Sequence, residues 1–86
     1  MTQTNSRARV KDPGNTEEAL EQLYAGYRKM GTTDFYSLCT RLIDSSHGSA
    51  AKKGMIKAGL MARSNDRDRM LSTVSNYFLA GAGLGV

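Results

Sequence analysis

The segment from Phe35 to Ile43 constrains the fold most strongly, because its apolar residues recur at helical spacing. They occupy positions i, i+3, i+4, i+7 and i+8: Phe35, Leu38, Cys39, Leu42 and Ile43. That spacing places all five side chains on one face of an α-helix, whereas a half-buried strand would show strict alternation. We therefore predict a helix with one buried face, capped by Thr32 or Thr33 and closed by the turn-rich run at 44–49.

Three further helical segments surround this one in the sequence. Asn15 and Glu18 form a capping box for a first helix, which carries an apolar stripe from Leu20 to Met30 and ends before Gly31. Residues 50–62 are helical by composition, although two interior glycines weaken the prediction. Asn65, with Asp68 three residues later, is the predicted cap of a last helix that ends at Gly81.

A chain of 86 residues supports one small core. We predict an all-α fold: three or four short helices in a small bundle, the first two packed as an antiparallel hairpin. The predicted boundaries are a flexible basic arm at 1–14, a single helical domain at 15–81 and a Gly-rich, uncharged tail at 82–86. The predicted core consists of Leu20, Leu23, Tyr27, Phe35, Leu38, Cys39, Leu42, Ile43, Val74 and Phe78.

The charge of the chain is concentrated in its second half. Residues 1–48 hold six basic and six acidic side chains, whereas residues 49–86 hold six basic and two acidic, which accounts for the net +4. Such a basic segment is typical of a phosphate-contacting surface or of a solvated helix face, and the alternation of Asp66 and Asp68 with Arg67 and Arg69 favours the second. The candidate partner- or phosphate-contacting residues are Lys52, Lys53, Lys57, Arg63, Arg67 and Arg69.

Two further features indicate contact with another protein. Small residues recur along the third helix and permit close approach of a second helix; the candidate face is Met55, Ala58, Gly59 and Ala62. The uncharged tail carries Leu84 and Val86 among glycines, so it either docks on its own core or inserts into a partner.

No group of residues in the sequence has the pattern of an active site. Cys39 shares an apolar stripe and is expected to be a buried, inert thiol, and His47 lies in a turn. One Cys and one His do not supply the three or four ligands of a metal site. The glycines at 81, 83 and 85 follow a helix, whereas phosphate-binding glycine loops precede one. We therefore expect that the protein is not an enzyme and that it binds no cofactor, metal or small-molecule substrate.

These observations favour a small non-enzymatic interaction or assembly module: a subunit of a larger particle, or an inhibitor that occupies a partner's surface. The partner would be another protein or further copies of the chain. The alternative is a small basic nucleic-acid-binding protein contacting phosphates through residues 49–69, although a helix-turn-helix fits poorly because the turn at 44–49 is long. No window reaches 18 apolar residues and no apolar run opens the chain. We therefore expect little membrane contact and a cytoplasmic location, or an assembly formed there.

Overall fold

The computed structural model describes the backbone of residues 16–82 and the side chains of residues 16–80. This part of the chain contains no strand and folds into four α-helices: α1 (Thr16–Lys29), α2 (Thr32–Ser45), α3 (Ala50–Ala62) and α4 (Arg67–Tyr77). A π-helical segment, Phe78–Ala82, continues α4. The all-α prediction is thus confirmed. The predicted arm at 1–14, the capping role of Asn15 and the docking tail with Leu84 and Val86 lie outside the described residues.

The middle of the bundle is formed by α2 and α4, each of which contacts all the other α-helices. In contrast, α1 and α3 do not touch each other, so they flank this central pair. The buried apolar residues come from all four helices and the π-helical segment: Ala19, Leu23, Phe35, Leu38, Cys39, Leu42, Ile43, Leu60, Met70, Val74, Tyr77 and Phe78. All five residues of the stripe predicted in α2 are among them.

The core differs from the predicted one at its edges. Leu20 and Tyr27 are only partly buried and pack against the core from outside. Ala19, Leu60, Met70 and Tyr77 are buried although the prediction did not include them. Along α4 and into the π-helical segment, the buried positions Met70, Val74, Tyr77 and Phe78 follow the i, i+4, i+7, i+8 spacing of one helix face.

The predicted caps of two helices are corrected by the structure. Gly31, not Thr32 or Thr33, is the N-cap of α2: its backbone is extended and its carbonyl accepts from the Phe35 N–H at 2.9 Å. The N-cap of α4 is Asp66 rather than Asn65, because the Asp66 carboxylate accepts from the Arg69 N–H at 3.2 Å. A carboxylate at this position also favours the positive end of the helix dipole.

The connection between α2 and α3 is shorter than predicted, since α2 continues to Ser45 and only residues 46–49 remain between the helices. Buried Ser46 donates to the Ile43 carbonyl at 2.6 Å and also meets the Tyr77 hydroxyl. A serine has one hydroxyl proton, so Tyr77 is the donor in the second bond. This pair joins the α2–α3 turn to α4, and Ser49 then caps α3 by accepting from the Lys52 N–H at 3.1 Å.

Candidate interaction surface

Helix α3 carries an outward-facing surface without a charged side chain. Leu60 is buried and Ile56 packs partly against the core, which fixes the inward side of the helix. The residues on the opposite side are exposed and uncharged: Ala51, Gly54, Met55, Ala58, Met61 and Ala62. At 100° per residue these six positions span an arc of about 120° centred on Ala58. We call this set the α3 arc.

The two methionines are the largest apolar side chains on the α3 arc. Met55 is 73% exposed and Met61 is 64% exposed. The positions between them are small, and a Cβ atom added at Gly54 would meet nothing within 4 Å. The arc therefore presents two flexible apolar side chains on either side of a shallow strip of backbone, which is a shape that another helix can approach closely.

The structure places the predicted small face mostly on this arc. Met55, Ala58 and Ala62 are exposed and belong to it, whereas Gly59 is half-buried and lies at its edge. There the Arg63 guanidinium donates to the Gly59 carbonyl at 2.9 Å, and a Cβ atom on Gly59 would lie 3.2 Å from that guanidinium. The sequence prediction missed Ala51, Gly54 and Met61, although each lies three, four or seven residues from Ala58.

Lys53 and Lys57 both turn toward the C-terminal end of α2. The Lys57 ammonium forms an ion pair with the Asp44 carboxylate at 2.7 Å, and the Lys53 ammonium donates to the Asp44 backbone carbonyl at 3.0 Å. Both side chains of the ion pair are substantially exposed, so its contribution to stability is small. Two of the three candidate lysines are thus brought together at Asp44, and Lys52 stays exposed beside the arc.

The three candidate arginines lie in different surroundings and do not form one surface with the lysines. Arg63 bonds to its own helix, and Arg69 pairs with Asp66 at 3.3 Å. Arg67 lies over the ring of Tyr27 in α1, with its guanidinium carbon 4.7 Å from the ring centre, as in a cation–π contact. Arg67 thus makes a contact between α4 and α1, whereas Arg63 and Arg69 make only local contacts.

Tyr27 is the centre of this second polar cluster. Its hydroxyl donates to the Asp68 carboxylate, and its ring packs edge-on against Phe35 at a centroid distance of 5.8 Å. The hydrogen bond to Asp68, together with the negative charge of that carboxylate, raises the pKa of Tyr27. The cluster joins α1 to α4 and accounts for Tyr27, Arg67 and Asp68 by contacts within the chain.

The remaining candidates for chemistry lie apart from one another. Cys39 is fully buried among apolar side chains, and this burial raises the pKa of its thiol to about 12, so it is almost entirely protonated at neutral pH. His47 is exposed in the α2–α3 turn. Among the described side chains, no three His, Cys, Asp or Glu residues come together as a metal site requires.

Within residues 16–82, no helix has the length and apolar character needed to cross a membrane. No protein-family model, curated protein or solved structure matches this chain.

Proposed function

We propose that this protein is a non-enzymatic interaction or assembly module, and that the α3 arc docks a helix of another protein chain. The observation that carries the proposal is the exposure of Met55 and Met61 on a face without charge. In the other three α-helices of the described chain, every exposed residue carries a polar or charged group, Tyr24 at 40% exposure being the largest of them, whereas α3 buries only Leu60 fully and exposes two methionines.

The chemistry of the α3 arc supports a helical partner. Small residues at Gly54, Ala58 and Ala62 allow the two backbones to come close, so that many weak dispersion contacts form along the helices. Methionine side chains are unbranched and polarisable, and they adapt to the shape of a partner at small cost. Burying them removes apolar surface from water, at roughly 25 cal/mol per Å².

Site-specific photo-crosslinking in cells of the natural source tests the proposal. A photoreactive amino acid at Met55 should give a protein adduct, and the additional substitution Ala58→Glu should abolish it by burying a charge in the contact. The matched control carries the same amino acid at Glu21, which is exposed on α1, away from α3. Adducts of equal yield at both positions, or none at Met55, would contradict a docking role of the arc.

A nucleic-acid-binding function is the second candidate, favoured by the excess of positive charge in residues 49–86 and by exposed Lys52. Two structural features reduce its support. Lys53, Lys57 and Arg69 are already engaged with Asp44 or Asp66. The α3 arc also has no side chain able to hydrogen-bond to base edges, as a recognition helix would need.

Retention on immobilised DNA or heparin at graded salt, measured together with the mass in solution, separates the two functions. A monomer whose retention falls steeply with salt would favour nucleic acid, because phosphate contacts release counterions. Weak retention would favour the interaction module if the protein also self-associates or gives a protein adduct at Met55.

A further inference from the structure

Building on the proposed docking role of the α3 arc, we infer that the helix that covers it is α3 of a second copy of this chain, packed antiparallel about a two-fold axis near Ala58. The inference rests on the spacing of the arc residues and on the distribution of charge along α3.

The arc is arranged almost symmetrically along the helix. Met55 and Met61 lie three residues before and after Ala58, and Gly54 and Ala62 lie four residues before and after it. Each methionine thus has a small residue as its neighbour on the side away from Ala58, namely Gly54 beside Met55 and Ala62 beside Met61. Because each residue advances a helix by 1.5 Å and 100°, Met55 and Ala62 lie on one side of the arc, and Gly54 and Met61 lie on the other.

The two-fold axis of an antiparallel pair reverses the direction of the second helix. Each side of the arc then faces the same side of the arc in the second copy. Met55 then faces Ala62 of the second copy, and Met61 faces Gly54 of the second copy. Ala58 meets its own equivalent at the axis. Every large side chain of the arc is therefore opposite a small one, which is the self-complementarity that a two-fold interface requires.

Charge selects the antiparallel arrangement over the parallel one. The lysines of α3, Lys52, Lys53 and Lys57, all lie in its N-terminal two-thirds, and the helix contains no acidic residue. A parallel pair would bring both sets of lysines to the same end. An antiparallel pair places the lysine-bearing end of each helix beside the C-terminal end of the other, so three lysines meet one arginine rather than three lysines. At that end the helix dipole is negative, and the C-cap Arg63 already donates to the Gly59 carbonyl of its own helix.

The lysine nearest the axis does not oppose this contact. Lys57 is one residue from Ala58 and carries its own counter-ion, because its ammonium lies 2.7 Å from the Asp44 carboxylate. The two-fold therefore brings together two neutral Lys57–Asp44 pairs rather than two isolated cations.

We expect the association to be weak, because the α3 arc is one face of a 13-residue helix, about 20 Å long. A face of that length provides less area than a standard interface of roughly 1,600 Å², so the dissociation constant should lie in the micromolar to millimolar range. Sedimentation velocity should show a mass that rises from 9.4 kDa toward twice that value as the concentration increases.

Two variants test whether the α3 arc carries this self-association. Ala58→Glu should reduce it at least about tenfold, because a carboxylate would be buried against its own equivalent. Ser37→Glu adds the same charge at an exposed position of α2 and should leave it unchanged. A wild-type chain that stays monomeric at about 1 mM, or equal effects of the two variants, would overturn the inference.

Disulfide trapping tests the antiparallel two-fold itself. Oxidised Ala58→Cys should form a covalent dimer, and a mixture of Met55→Cys with Ala62→Cys should form a mixed dimer. Wild-type protein is the control, since its buried Cys39 should not react. A parallel pair would instead link Met55→Cys to Gly54→Cys, and that product, or failure of Ala58→Cys to link, would overturn the arrangement.

The crosslinking experiment at Met55 separates this inference from the proposed function. An adduct at twice the mass of the chain supports the second copy. An adduct of any other mass that Ala58→Glu abolishes overturns the second copy but leaves the docking role of the arc intact. Absence of every adduct at Met55 contradicts both.

Discussion

Helices α2 and α3 are almost equal in length, yet they use their apolar residues in opposite ways. In α2, five apolar side chains are buried on one face, and the exposed residues are polar. In α3, only Leu60 is fully buried, and the exposed arc is apolar and uncharged. Burial within the chain thus accounts for the apolar pattern of α2, whereas in α3 it accounts for little of it. An apolar pattern that the fold does not use is a signal for contact outside the fold.

The largest expected difference between the two helices is in the cost of shortening an apolar side chain. Leu42→Ala in α2 should lower the free energy of unfolding by about 2–4 kcal/mol, because it removes buried contacts and leaves a cavity. Met55→Ala in α3 should change it by less than about 0.5 kcal/mol in dilute protein. Chemical denaturation of both variants measures the difference. Equal losses would show that the α3 arc is part of the folded core.

A second expected difference concerns two helical glycines. Gly26 lies where α1 meets α2, and a Cβ atom there would overlap the buried side chain of Leu38. Gly26→Ala should therefore lower the free energy of unfolding by about 1–2 kcal/mol, although alanine is the better helix former. Gly54→Ala on the α3 arc meets no neighbour and should raise it by about 0.5–1 kcal/mol.

Thermal denaturation of both glycine variants should show changes of opposite sign. A stabilised Gly26→Ala protein would mean that α1 and α2 can separate slightly at little cost. The close contact that the structure shows between them would then be unnecessary for stability.

Sequence patterning anticipated the central part of this fold and lost accuracy where contacts between helices decide. The α2 stripe was predicted completely, because a regular repeat of apolar residues is a property of one helix alone. Gly26 was overlooked, since only the position of Leu38 across the α1–α2 contact makes a glycine necessary there. The cap of α4 was predicted one residue early because Asn65 and Asp66 are both good caps, and tertiary geometry chooses between them.

The candidate surface was predicted in the same partial way. Composition alone identified α3 as the unusual helix, and three of the four residues of its predicted small face are exposed. The prediction included half-buried Gly59 and omitted exposed Ala51, Gly54 and Met61, because the inward direction of α3 follows only from the burial of Leu60. The contacts of Lys57 with Asp44 and of Arg67 with Tyr27 join residues far apart in sequence, so a count of charges could not reveal them.

A third prediction concerns the pH dependence of stability that the buried Cys39 thiol causes. The raised pKa of Cys39, about 12, means that the folded state keeps this thiol protonated, whereas in the unfolded chain it ionises near pH 9. The contribution of this thiol to the free energy of unfolding is fully present below pH 9 and is lost as the pH rises toward 12, because only the unfolded chain ionises it. The loss is roughly 1.4 kcal/mol at pH 10. Cys39→Ala should lack this part of the decline, as measured by denaturation between pH 8 and 10.5.

Thiol reactivity provides the control for that assignment. Native Cys39 should react with a thiol reagent only through unfolding, whereas Met55→Cys on the exposed α3 arc should react rapidly in the folded protein. Rapid modification of Cys39 in native wild-type protein would contradict its burial and the pH dependence together.

The smallest expected effect on stability concerns the lysines beside the α3 arc. Replacing Lys52, Lys53 and Lys57 by Gln should change the free energy of unfolding by less than about 1 kcal/mol, because exposed ion pairs contribute little and glutamine keeps the helix propensity. Self-association of this variant should persist, since the apolar arc is unchanged, and the association should depend less on salt concentration.

The same variant separates the two candidate functions. For a nucleic-acid ligand, each lost phosphate contact should reduce the slope of log K against log salt by about 0.7–0.9. A variant that stays folded but loses self-association at every salt concentration would show that the lysines, and not the methionines, hold the contact together.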